Sequence, residues 1–205
     1  MVSSSSQDDR DSYLFYKQAL LQTGAKEAIW VPIDLGLRKA RELNDCINVD
    51  KYEGTEYGEY DVKRRYPDLN AQQVKACLQP ETVYDDLKRI TGIFFTGGDQ
   101  SKHKASFIDS NGDSEEMKII RRRVNSGDLA LAGTSAGTAV QGGPSLSEKV
   151  PMISGGESYE ALVNKPLDRL CLTSACADDL QYDPEGGLGL FTVGILDTHF
   201  SQRGR

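Results

Sequence analysis

The sequence is poor in the residues that build metal sites. Its 205 residues include two histidines, His103 and His199, and four cysteines, Cys46, Cys77, Cys171 and Cys176. No two cysteines form a C-x-x-C pair, so the spacing of a structural zinc site is missing. A chain of this size can build an ordinary core, and no disulfide framework is expected. Long apolar runs are also lacking. None approaches the ~20 residues of a membrane-spanning helix. There is no basic excess: 24 Lys and Arg stand against 31 Asp and Glu, a net charge of -7. That sign excludes a protein whose main work is coating nucleic acid. The opening MVSSSSQDDRD has no apolar stretch of the kind a signal peptide needs, and cytoplasmic and secreted locations both stay open.

What is present suits one globular domain. Apolar residues make up 38% and charged residues 27%, enough to fill a core and too apolar for a disordered chain. Residues 13–23 read as an amphipathic helix ended by Gly24, and 28–33 as a short strand. Residues 34–70 read as a long polar insertion on the surface with partial helix. Its Tyr52, Tyr57, Tyr60 and Tyr66 are either a binding rim or ordinary loop residues, the latter being the default for a long loop. Asn70 is placed to cap a helix over 71–78, and 81–89 forms another. Strands follow at 92–96, 129–132 and 188–196, with a helix between the first two that opens on the capping box Asp113-x-x-Glu116. Short apolar strands alternating with helices imply an α/β chain with a mostly parallel sheet. The chain starts almost directly in helix-forming sequence and stops at Arg205, just after its most chemically suggestive segment. A fragment truncated at both ends is therefore the expectation.

The chemistry gathers at the strand ends. Gly133-x-Ser135-x-Gly137 follows an expected strand and precedes a helix-compatible segment. Glycines on both flanks leave room for a sharp turn, which pushes the serine hydroxyl out at the carboxyl edge of the sheet. The Ala136 N–H then points at a developing oxyanion, and the turn at Gly97–Gly98 offers a second donor. A bare G-x-S-x-G also occurs as a plain small-residue turn. A serine needs a base at neutral pH. His199 follows the strand 188–196 and reaches the same edge, whereas His103 reads as solvent-exposed. Glu157, Glu160, Asp168, Asp178 and Asp179 lie between Ser135 and His199 as candidates to orient the imidazole, and spacing does not choose among them. Gln100 is placed to hold a polar group of a substrate. Arg203 and Arg205 are either carboxylate-binding forks or a solvated basic turn.

FFTGGDQ, AGTSAG, MISGGE and LDTHFSQRGR occur in the order and approximate spacing of the cyanophycinases, serine peptidases related to aspartyl dipeptidases. The chain resembles that family well over 90–205 and loosely over 3–33, and SQRGR after a His is the most specific of these motifs. The resemblance implies a three-layer α/β/α fold like that of class I glutamine amidotransferases and flavodoxins. It implies hydrolysis of cyanophycin, multi-L-arginyl-poly-L-aspartate, to β-Asp-Arg dipeptides, with no metal or organic cofactor. Carried over, Ser135 is the nucleophile and His199 the general base. Gln100, Asp197, Arg203 and Arg205 bind substrate, and Thr198 stands where the family's motif has Gln. Glu160 is favoured as the third member, with Glu157 next. The implied partners are a polypeptide or dipeptide rich in Asp and Arg, and a second copy in a homodimer, with neither nucleic acid nor membrane. An aspartyl or isoaspartyl dipeptidase and an inactive polymer-binding homologue are the alternatives. A glutamine amidotransferase is disfavoured because its elbow nucleophile is Cys.

Overall fold

The computed structural model describes residues 1–6, 8–52, 62–143, 150–156, 158–169, 176 and 178–203. Helix α1 (Asp9–Gln22) starts where the Asp8 carboxylate accepts from the Asp11 N–H, and Asp9 and Asp11 in its first turn suit the helix dipole. Helix α2 (Leu35–Glu42) is capped by Asp34, whose carboxylate accepts from the Leu37 N–H. A 3-10 segment, Cys46–Tyr52, follows, then α3 (Val62–Arg65), α4 (Pro67–Leu78) and α5 (Glu81–Arg89). Pro67 sits at the first helical position of α4, where its missing N–H costs nothing. Asn70 is therefore a buried residue inside α4 rather than its cap.

Residues 34–52 are not a surface insertion, and 53–61 lie outside the described residues. Leu37, Ala40, Cys46 and Val49 are buried in the main hydrophobic cluster. A disulfide joins Cys46 to Cys77 of α4, contrary to the expectation of none, and no cysteine among the described residues is free. The apolar stripe is narrow and alternates with charged residues, so the segment looks polar on average while one face is core. Tyr52 packs on that core and donates to Asp45, and Tyr66 donates to Asp11, so neither forms a rim. Tyr57 and Tyr60 lie outside the described residues.

The centre of the fold is the parallel pair β1 (Gly92–Phe95) and β4 (Ala130–Gly133), in register from Gly92 opposite Ala130 to Phe95 opposite Gly133. Val2 lies parallel on the other edge of β1: its N–H donates to the Phe94 carbonyl at 2.9 Å, and its carbonyl accepts from the Thr96 N–H at 3.0 Å. Between the paired strands run α6 (Gln100–Phe107), the hairpin β2–β3 (Ile108–Asp109, Gly112–Asp113) and α7 (Glu115–Asn125), as a parallel crossover requires. Ser114, not Asp113, caps α7, accepting from the Met117 N–H; Asp113 instead pairs with Arg121. Ile93, Phe95, Phe107, Met117 and Ile120 fill the core beneath.

The rest is shorter: α8 (Ala136–Ala139), β5 (Met152–Gly155), α9 (Ser158–Val163), β6 (Gln181–Asp183) antiparallel to β5, and α10 (Phe200–Arg203). Residues 28–33 are extended but form no strand, although the Val31 N–H donates to the Met1 carbonyl at 2.8 Å. Residues 188–196 also form no strand. Leu188 donates to the Val140 carbonyl, Leu190 and Phe191 both donate to that of Gln141, and only Phe191 bridges in parallel to Gly142. Gly186 and Gly189 have positive φ, which breaks the extended path that the apolar composition suggests. The described residues thus form an α/β chain with a small parallel sheet, and no described helix is long and apolar enough to cross a membrane.

Candidate active site

Strand β4 ends at Gly133 and α8 begins at Ala136, which leaves Ser135 in the turn between them. Its backbone has φ 52° and ψ -120°, a region that L-residues rarely occupy. Packing explains how the turn is held. A Cβ on Gly133 would lie 2.3 Å from the Gly137 carbonyl oxygen, and one on Gly137 would lie 2.1 Å from that of Phe95. Only glycines let α8 press this closely on the end of β1. The Thr138 hydroxyl donates to the Gly133 carbonyl at 2.8 Å, and the Gln141 amide donates to that of Gly137 at 2.7 Å.

Ser135 Oγ lies 2.6 Å from His199 Nε2, although 64 residues separate them. His199 is exposed, has φ 57°, and immediately precedes α10; its carbonyl accepts from the Arg203 N–H. If Nε2 accepts the serine proton, the neutral ring carries its own proton on Nδ1. Among the described residues no carboxylate is bonded to Nδ1. Glu160 lies in α9, half-buried, and no hydrogen bond or ion pair joins it to His199. Asp168 and Asp178 are exposed, and Asp179 accepts from Asn164 at 2.7 Å. Glu157 lies outside the described residues.

A small cavity of about 30 Å³ opens beside the serine. Gly98, Gln100, Ala136, Asp197, Thr198 and Arg203 line it together with Ser135. These come from the loop after β1 and the start of α6, the start of α8, and the segment around α10. Arg205 lies outside the described residues. Gln100 donates its amide to the Ser154 carbonyl at 2.9 Å, which leaves its side-chain oxygen as an acceptor. Asp197 accepts from the Thr198 N–H at 2.8 Å. Among the described residues neither the Gly98 nor the Ala136 main-chain N–H has an acceptor.

Two polar features lie deeper than the sequence predicts. His103 is not solvent-exposed but fully buried, edge-on to Phe95. Its Nε2 lies 2.9 Å from the Thr96 carbonyl, which can only accept, so Nε2 carries the proton and Nδ1 accepts from Ser4 Oγ at 2.7 Å. Burial lowers its pKa to about 4, partly offset by the Thr96 carbonyl. The N-terminal serines read as a polar start, without a sign of burial. Ser3, Ser4 and Ser5 are buried against the end of β1, and nothing in a run of four serines signals that. Ser154 Oγ, also on the cavity wall, is buried with no partner among the described residues.

No family model matches the chain. Curated relatives do. It is 36% identical over 137 residues to cyanophycinases of Trichormus variabilis and of a Nostoc species, a stretch covering 67% of this chain and 37% of each relative. The cyanophycinase of Geminocystis herdmanii is 33% identical over 140 residues, 67% of this chain and 42% of the relative. The matched stretch thus spans about two fifths of the length of these relatives. By these similarities the chain belongs to the cyanophycinase family.

Proposed function

We propose that the chain is a serine-type hydrolase that cleaves cyanophycin to β-Asp-Arg dipeptides. The observation that carries this reading is the 2.6 Å contact of Ser135 Oγ with His199 Nε2 at a backbone-strained strand–helix elbow. The relatives, named cyanophycinases, supply the substrate class. In this reading Ser135 Oγ attacks the scissile carbonyl and passes its proton to His199 Nε2. The carbonyl oxygen becomes an oxyanion held by the Gly98 and Ala136 N–H groups. The intermediate collapses, the C–N bond breaks, and the leaving amine takes the proton from Nε2. Water then attacks the acyl-enzyme; His199 accepts its proton and returns it to Ser135 as the product acid departs.

The remaining roles follow from charge and placement. Arg203 lines the cavity and suits a substrate carboxylate, with Arg205 as its partner. Gln100 presents an acceptor to a substrate N–H, and Asp197 and Thr198 complete the polar wall. Glu160 is our first choice to orient the imidazole, with Glu157 second. The chain acts as a single peptidase domain of three-layer α/β/α type, works without metal or cofactor, and pairs as a homodimer.

The test is incubation of the purified chain with cyanophycin, read by mass spectrometry for released β-aspartyl-arginine, with Ser135→Ala as control. Release that vanishes in the variant supports the reading; a folded wild-type chain that releases nothing overturns it. One observation favours a second reading. Since no described carboxylate supports His199, an inactive polymer-binding homologue would show binding without turnover, unchanged by Ser135→Ala. Cleavage of Asp-X dipeptides but not of polymer would select a dipeptidase.

A further inference from the structure

The four N-terminal serines lie beside the turn at Gly97–Gly98, and that turn adjoins the nucleophile. A Cβ on Gly97 would lie 3.3 Å from Ser135 Cβ. Ser5 holds the turn in three ways. Its hydroxyl lies 2.8 Å from the Gly97 carbonyl and 3.1 Å from that of Thr96, sharing one proton between them. Its main-chain carbonyl accepts from the Asp99 N–H at 2.9 Å. That same carbonyl oxygen lies 2.0 Å from where a Cβ on Gly98 would sit, so the two backbones touch. From behind, the Ser4–His103 pair grips the Thr96 carbonyl. Gly98 has φ 138° and lines the Ser135 cavity on its other side.

Among the described residues no peptide bond is cis, so the carbonyl of Gly97 and the N–H of Gly98 point in opposite directions across one plane. A hydroxyl that holds the carbonyl on the Ser5 side turns the N–H toward the Ser135 side. We propose that Ser5 is a positioning residue: its hydroxyl fixes the Gly97–Gly98 peptide plane and thereby aims the Gly98 N–H at the oxyanion that forms on Ser135. This rests on the hydrolytic reading above. Ser5 itself touches no substrate. Without its hydroxyl, the Gly97 carbonyl keeps only a long contact from Ser6 Oγ at 3.5 Å, the plane between two glycines is held less firmly, and the donor is lost from the transition state more than from the bound substrate.

The test uses a fluorophosphonate, which phosphonylates an activated serine with loss of fluoride and sets a phosphoryl oxygen in the oxyanion position. Labelling rates are measured for the wild-type chain and for Ser135→Ala, Ser5→Ala and Ser5→Thr, each with its melting temperature. The wild-type chain labels and Ser135→Ala does not. Ser5→Ala labels about ten- to a hundredfold more slowly, less than the loss of an oxyanion donor outright, at a similar melting temperature. Its kcat on substrate falls by the same factor with KM nearly unchanged. Ser5→Thr, which keeps the hydroxyl, recovers most of the rate. Wild-type labelling by Ser5→Ala, or no recovery in Ser5→Thr, overturns the proposal while the hydrolytic reading stands. A wild-type chain that does not label at Ser135 overturns both. Should Ser5→Ala not fold, amide NMR of the wild-type chain decides: phosphonylation moves the Gly98 proton downfield if it bonds the oxyanion, and an unmoved resonance overturns the proposal.

Discussion

The two halves of the Ser135–His199 pair are held in very different ways. The serine stands on an elbow fixed by backbone contact. Gly133 and Gly137 pack carbonyl against Cα, Ala139 and Val140 are buried behind them, and side-chain bonds close the turn. The histidine stands on a surface segment. It is exposed, follows an irregular stretch whose Val193 and Ile195 are also exposed, and opens a four-residue helix with no buried residue. The serine's geometry is therefore a property of the core, whereas the histidine's geometry is a property of the rim. Local opening should begin at the rim and leave the elbow intact.

Substitutions can break that contrast, and the largest effect is on the rim. His199→Ala should lower kcat by about 10⁴-fold, as expected for loss of a triad base, while leaving the melting temperature unchanged. A matching drop in melting temperature would show that the rim carries structure after all. Gly137→Ala should do the opposite. A methyl 2.1 Å from the Phe95 carbonyl oxygen cannot be accommodated without moving β1 or α8. Urea titration should show a loss of about 4 kcal/mol or no folded chain, with activity falling only as the fold does.

The Cys46–Cys77 disulfide closes 31 residues, and neither the 3-10 segment nor α4 that it joins lines the Ser135 cavity. Replacing both cysteines by alanine should cost about 3 kcal/mol of stability with kcat intact, measured by chemical denaturation beside a steady-state assay. The smallest expected effect comes from acid. Buried His103 is held neutral with its pKa lowered from 6.5 to about 4. The unfolded chain takes up that proton first, so stability is full above the ordinary value and falls as pH drops through the window. Between pH 6.5 and about 5 the loss should reach about 2 kcal/mol, read as a shift in urea midpoint. In His103→Gln this slope should flatten; an unchanged slope would mean that other groups carry it.

The elbow was legible in the sequence because glycines flanking a serine after an apolar strand leave few geometries open. The strands at 92–96 and 129–132 were legible for a similar reason: both are short apolar runs bounded by glycine, and the structure pairs them. The core face of 34–52 was hidden by averaging, since Leu37, Ala40 and Val49 are buried within a charged stretch. Residues 188–196 misled in the other direction. Their apolar content suggests a strand, but Gly187 packs against the Val140 and Gly142 carbonyls and neighbouring glycines turn the chain aside. His103 and the N-terminal serines were unreadable for a different reason. Their burial depends on partners about ninety to a hundred residues away, and local pattern carries no record of such pairings.

The positive φ of Ser135 also shapes how the sequence can drift. A glycine at that position would relax the backbone and stabilise the fold by about 1 kcal/mol, and the same exchange would remove the oxygen that attacks in the proposed mechanism. Stability and turnover thus pull in opposite directions at one codon. In any lineage released from the need to cut its substrate, glycine is the replacement that backbone energetics favour, and its appearance there would mark the loss of chemistry in a fold that had become slightly more secure.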